Sequence, residues 1–232
     1  MDGSAPIVDP IAAVAARMEA IAAPLGADDG VRRFNELYLA VTRAVAIESA
    51  STTFEDPAFM SRLDVVFADL YFAAIDDDAA GRNVGRAWAP LFHKRGERGI
   101  AALQFAIAGM NAHINHDLSL ALVTTTKELG IDLNHGTPQH KDYLAINGLL
   151  ERVQDEIKER FTTGVIRDID NAGGRVDDVF AAWSVTRARD NAWVQAQTLD
   201  ALGGSGFLRK QFLIALGRNV GFAGRALLTR TG

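Results

Sequence analysis

The chain has no cysteine. That absence removes disulfides, thiolate zinc sites, iron–sulfur clusters and cysteine nucleophiles at once, and it fits a reducing, cytoplasmic setting. A basic excess is missing too. The 24 lysines and arginines stand against 29 acidic residues, a formal charge of −5, so nucleic acid is not an expected partner. Nor is there a signal-like start: Asp2 and Asp9 stand where basic residues would be, and Pro10, Arg17 and Glu19 interrupt the apolar stretch. The least charged run, residues 99–126, carries only Asp117 as a formal charge, but Asn111, His113, Asn115 and His116 lie near its middle. One aspartate at mid-bilayer costs about 2.5–3.5 kcal/mol. The run reads as a buried helix of a soluble protein, and a membrane is not an expected partner.

Proline is scarce and unevenly placed. The six are Pro6, Pro10, Pro24, Pro57, Pro90 and Pro138, with none beyond. Alternating β-branched runs are also few, and apolar residues recur at helical steps instead. In 57–75, for example, Phe59, Met60, Leu63, Val66, Phe67, Leu70 and Ala74 fall on one stripe. The spacing predicts helices near 8–22, 29–50, 57–75, 99–128, 138–163, 176–201 and 206–228. Asp56-Pro57 and Thr137-Pro138 each put a capping side chain before a proline at the first helical position. Asp28 or Asp29 can cap the second helix, and Gly130, Gly164 and Gly203-Gly204 sit where helices should stop. Residues 76–98 form the longest irregular stretch, with room for a short helix from Arg86 to His93. No internal repeat or long linker divides the chain. The expected fold is all-α: one domain over residues 1–232, a bundle of about seven helices around a buried central helix at 99–128. Residues 1–27 would supply a peripheral N-terminal helix.

The most informative segment is Gly109-Met-Asn-Ala-His-Ile-Asn-His-Asp-Leu118. On a wheel turning about 100° per residue, His116 lies about −60° and Asp117 about +40° from His113, so the three share a face. Asn111 and Asn115 lie one turn apart on the opposite side. Five polar side chains in a helix otherwise apolar all round need partners. Three explanations are open. His113, His116 and Asp117 could ligate a divalent metal ion, as helix-borne ligands do in bundles. His113 and Asp117 could be a metal-free acid–base pair with Asn115 beside them and Asn111 contacting substrate. The cluster could equally be a structural network tying helices together.

A second candidate lies in 176–201. With Asp190 as reference, Trp183, Arg187, Trp193, Val194 and Gln197 fall within about 60° of it. Arg187 could hold an anionic group and Asp190 complete the catalytic set, with Trp183 and Trp193 as apolar walls. An ion pair packed under aromatic cover is the plainer reading. His140 follows Thr137-Pro138 as a cap residue that could swing toward the central helix, while His135 and His93 read as solvated. Gly81-Arg-Asn-Val-Gly85 lacks the strand and the Lys-Ser/Thr of a phosphate loop.

The C-terminal charge is lopsided: no acidic residue follows Asp200, but Arg209, Lys210, Arg218, Arg225 and Arg230 do. Gly217, Gly221 and Gly224 would let another helix approach closely. The segment is therefore expected to pack on the bundle, its cations meeting Asp76 to Asp78, rather than to lie on an anionic membrane.

Ala74-Ile-Asp-Asp-Asp78, together with Asn115 and Ser119, resembles the two magnesium motifs of class I terpene cyclases. Val123, however, stands where the second motif needs its acid, and no DDxxD spacing is present. A fuller resemblance is to a poorly characterised actinobacterial family of helical proteins of unknown function, from about Asp28 onward. It rests on Asp29-Gly-Val-Arg32, Leu63-Asp-Val-Val-Phe67, Gly109-Met-Asn-Ala-His-Ile-Asn115, Asp117-Leu118, Pro138-Gln-His140 and Trp183 to Trp193. The resemblance implies a helical fold and no particular activity; in that family the position of His116 often holds Arg.

The residues together suggest an enzyme of secondary metabolism, a cyclase, lyase or hydrolase, acting on a small and largely apolar molecule from a His113–Asp117 site. The alternative is a non-catalytic helical ligand-binding or interaction protein. A divalent metal cofactor and a homodimer are compatible with either.

Overall fold

The computed structural model describes residues 9–49, 54–148, 150–151 and 184–230. Among these the fold is all-α: α1 (Pro10–Ala22), α2 (Gly30–Ser49), α3 (Pro57–Ala79), α4 (Gly85–Lys94) and α5 (Ala102–Ala112), followed by a π-helical turn (His113–Asp117) and α6 (Leu118–Leu129). After these come α7 (138–148), α8 (Val185–Ala201) and α9 (Gly206–Leu227). Helix ends follow local chemistry. The Asp56 carboxylate accepts the Phe59 N–H at 3.0 Å just before Pro57, Asp29 accepts from Val31 at 2.8 Å, and Thr137 accepts from His140 at 3.2 Å. Gly130 stops α6 in the left-handed region at φ 67°.

The short helix for which Arg86 to His93 left room forms as α4 and adds an element to the expected seven. Its Pro90 sits within the helix, while Trp88, Leu91 and Phe92 bury an apolar face that outweighs the proline. Two expectations are revised. Helix α3 runs a turn further than 75, through Asp76 to Asp78. Acidic residues at a helix C-terminus are unfavourable alone, but Arg17, Arg82 and Arg95 neutralise Asp76, Asp77 and Asp78 respectively. Those aspartates are thereby spoken for, and the C-terminal cations do not meet them. Arg230 pairs with Glu97 instead, and Lys94 donates to the Leu228 carbonyl. Gly164 and the outer parts of the helices expected at 138–163 and 176–201 lie outside the described residues.

The central helix α5–π–α6 is enclosed. Every residue from Leu103 to Ala112 is buried. Helix α2 crosses α5 with its backbone unusually near, because two glycines receive two rings. A Cβ on Gly109 would stand 2.2 Å from the Phe34 ring, and one on Gly30 would stand 2.4 Å from Phe105. Helix α9 closes on α4 the same way: a Cβ on Gly221 would meet the Arg86 carbonyl at 2.3 Å. No helix of the described residues is long and apolar enough to cross a membrane.

Candidate functional site

At the middle of the central helix the backbone changes pitch. The Leu118 N–H bonds the His113 carbonyl, five residues back, which widens the helix by one residue over His113–Asp117. Such π-turns are rare and recur at functional sites. Here the turn brings His113, His116 and Asp117 together. The Asp117 carboxylate is buried and accepts three hydrogen bonds: Oδ2 from Trp88 Nε1 at 2.9 Å and from His113 Nδ1 at 3.2 Å, Oδ1 from His116 Nδ1 at 2.7 Å. Burial alone would raise its pKa, but the hydrogen bonds from the two imidazoles hold it below the usual carboxylate value. Asp117 is therefore an anion at neutral pH.

That anion fixes the chemistry of His113. An ionised carboxylate can only accept, so Nδ1 of His113 carries the hydrogen and Nε2 keeps a bare lone pair. The ring is 1% exposed. It stacks on Phe67 with centroids 3.6 Å apart and planes 6° apart, and Tyr38 meets its edge at 4.5 Å. Phe34, Tyr71 and Trp88 complete the cage. Burial lowers the His113 pKa below 6.5 and the Asp117 contacts oppose it only in part, so the imidazole is neutral.

Nε2 of His113 is buried without a hydrogen-bond partner. It is not alone. The Tyr38 hydroxyl, the Thr42 hydroxyl and Asp64 Oδ2 are likewise buried and unpartnered, and all four residues line one cavity of about 260 Å³. Its other walls are apolar side chains such as Met60, Met110, Ile114 and Leu118. Orphaned polar atoms are few in folded proteins, and four around one apolar cavity call for a common cause. Burial, helped by the nearby charge of Asp9, pushes the Asp64 carboxyl up to about 6. Burial also raises the Tyr38 hydroxyl well above its usual value, so it stays protonated. The cavity thus offers one neutral base, one carboxyl near its titration point and two hydroxyls.

Tyr38, Thr42 and Asp64 escape the sequence reading because they come from α2 and α3, far from the central motif in sequence. Asp64 alone leaves a trace, a carboxylate on the apolar line from Met60 to Phe67. Arg189 is a fourth omission. It is buried, lines the cavity, donates to Asn147 Oδ1 at 2.6 Å and to the Tyr143 carbonyl at 2.7 Å, and lies 4.0 Å over the Tyr143 ring.

Other sequence candidates lie elsewhere. Asn111 donates to the Val220 carbonyl at 3.0 Å and accepts from Asn115 at 3.2 Å. Both therefore face α9, tying it to the central helix, rather than the cavity. Arg187 and Asp190 are exposed, as is Val194. The buried stripe of α8 is instead Val185, Ala188, Arg189, Ala192, Trp193, Ala196 and Leu199, about 130° around the helix from Asp190. The Arg187–Asp190 pocket is thus corrected: both charged side chains face outward, while Trp193 and small alanines lie on the inward face. Trp193 packs between His140 and Tyr143 at 4.7 and 5.0 Å, and Trp183 lies outside the described residues. His140 bonds His135 and Gly136 and does not reach the central helix. His113 and His116 both spend Nδ1 on Asp117. Among the described residues no three His, Asp or Glu side chains are grouped to hold a metal ion.

No curated protein and no solved structure matches the chain. A family model does, and it spans the whole helical core from α1 to the end of α9, the central motif and the cavity walls included. On that match over residues 11–230 the chain belongs to DUF5995, a family of unknown function.

Proposed function

We propose that the protein takes a small, largely apolar molecule into the cavity between α2, α3 and the central helix and transfers protons on it. His113 is the base, through Nε2. Asp117 orients the ring and stabilises the imidazolium formed during transfer, and Asp64, poised near pH 6, is the opposing acid. The observation that carries this reading is the bare, buried Nε2 of His113 at the cavity wall, its partner nitrogen fixed by an anionic carboxylate. A base in that state is ready near neutral pH, in a cavity whose walls are mostly apolar. Bond-breaking or ring-forming reactions driven by proton removal, lyase, isomerase or cyclase in type, fit these groups. Non-catalytic binding of an apolar ligand is the second reading, favoured by the way Trp88, His113 and His116 use Asp117 to tie α4 to the central helix.

Deuterium exchange separates the two. A panel of small apolar carbonyl compounds is screened for binding by saturation-transfer NMR, and binders are then incubated with protein in D₂O. The wild type should exchange acidic C–H positions of at least one binder. His113→Gln, folded by circular dichroism, should exchange them about 100-fold more slowly or worse. Binding without exchange in the wild type would leave the non-catalytic reading standing and the enzymatic one refuted.

A further inference from the structure

The opposite side of the central helix carries a second concavity of contrary chemistry. It encloses about 450 Å³ between α4, the π-turn and the start of α9, and Arg86, His116, Arg209 and Lys210 line it along with Leu213 and Gly217. Cations from two separate elements, α4 and α9, converge there, and no acidic residue lines it. Among the described residues many arginines elsewhere are neutralised, Arg17, Arg43, Arg62, Arg82 and Arg95 each holding a carboxylate, although Arg98, Arg187, Arg218 and Arg225 hold none. Among the described residues Arg86, Arg209 and Lys210 hold none. The Arg209 Nε is moreover buried without an acceptor, and a guanidinium N–H withdrawn from water is costly until an oxygen meets it.

His116 is placed to join them. Asp117 anchors its Nδ1, and its Nε2 comes 3.8 Å from where a Cβ on Gly217 would stand. The ring edge thus reaches the groove, and glycine at 217 leaves it uncovered. The first turn of α9, with Gly206 in the groove wall, adds the positive end of a helix of 22 residues.

The geometry points to an anion site that takes a phosphate group. Forked and point-like donors approaching from several directions suit a tetrahedral oxyanion better than a planar carboxylate. That phosphate can belong to a soluble molecule or to a lipid headgroup. Phe207 and Leu208, 69% and 49% exposed beside Arg209 and Lys210, are placed to meet acyl chains in the second case.

Two arms with the full-length protein test this. One titrates inorganic phosphate by calorimetry and ³¹P NMR. The other measures co-sedimentation with phosphatidylcholine vesicles with and without phosphatidic acid. Saturable binding is expected in at least one arm, weakened at least about tenfold by Arg86→Gln/Arg209→Gln. Arg218→Gln, exposed on α9 and outside the groove, should leave it unchanged. Binding of free phosphate identifies a soluble ligand, and binding only to phosphatidic acid vesicles identifies a headgroup; either supports the site. No binding in both arms, or equal losses in the Arg209 and Arg218 variants, would overturn it.

Discussion

Removing the Asp117 carboxylate perturbs the site at its most connected atom pair. Three N–H donors converge on it: Trp88 Nε1, His113 Nδ1 and His116 Nδ1. In Asp117→Ala the first two have no replacement, because both rings are almost fully buried, at 3% and 1% exposure. His116 is 22% exposed at its side chain and can turn to water. Two stranded buried donors at about 1–3 kcal/mol each give an expected loss of about 2–6 kcal/mol. That is a large share of the 5–15 kcal/mol or so that holds a domain together. Asp117→Asn is the informative companion. Its amide oxygen can still accept from Trp88 and His113, while its NH₂ faces His116, which can adopt the other tautomer. The loss should then shrink to about 1–2 kcal/mol, the difference between charge-assisted and neutral hydrogen bonds. Urea unfolding followed by circular dichroism measures both. A loss below about 1 kcal/mol for the alanine variant, or equal losses for the two, would refute the view that the carboxylate satisfies buried donors.

Asp64→Asn should change how stability depends on pH. With its folded pKa raised to about 6 against 3.8 for the free group, Asp64 keeps a proton that the unfolded chain has lost, so its contribution falls as pH rises through that window. Well above pH 6 the ionised group costs about 3 kcal/mol, and the amide should recover most of it; a variant less stable than wild type at pH 7.5 by urea titration would contradict this. Gly109→Ala should lose about 1–3 kcal/mol because its methyl would drive into the Phe34 ring. A thermal melt at wild-type temperature would show that α2 and α5 are not so closely packed.

The parts of this architecture that depend on neighbours in sequence are readable from it. Asp56-Pro57 and Thr137-Pro138 announce helix starts because a cap needs only its own next three residues. The run of five polar residues marks 111–117 because polar side chains in a helix apolar all round need partners, which they find partly in one another and partly in Trp88 and the Val220 carbonyl. Even the glycines of α9 betray a close neighbour, which proves to be α4. Other features depend on distant partners and leave little trace. Helix α4 is legible only as room for a short helix, since the burial of Trp88 and Phe92 that offsets Pro90 is tertiary. On α8 Trp193 does face inward, but Arg187, Asp190 and Val194 do not, because the alanines that set the face packed against α6 are too small to mark its phase. The cavity joins α2, α3 and the central helix, so Tyr38, Thr42 and Asp64 become a site only once those helices meet. The π-turn is likewise invisible to a wheel of fixed pitch.

The central claim is that His113 is a neutral base with its lone pair on Nε2, and ring NMR reads it directly. In protein carrying ¹⁵N-labelled histidine, the two-bond correlations of His113 should show hydrogen on Nδ1 and a bare Nε2 at pH 7. A titration should place its pKa below 6.5, the direction that burial imposes. Its neutral form is then favoured by folding, so the stability it contributes is present above pH 6.5 and lost as pH falls through the lowered value. Hydrogen found on Nε2, or a ring still protonated at pH 7, would contradict the account.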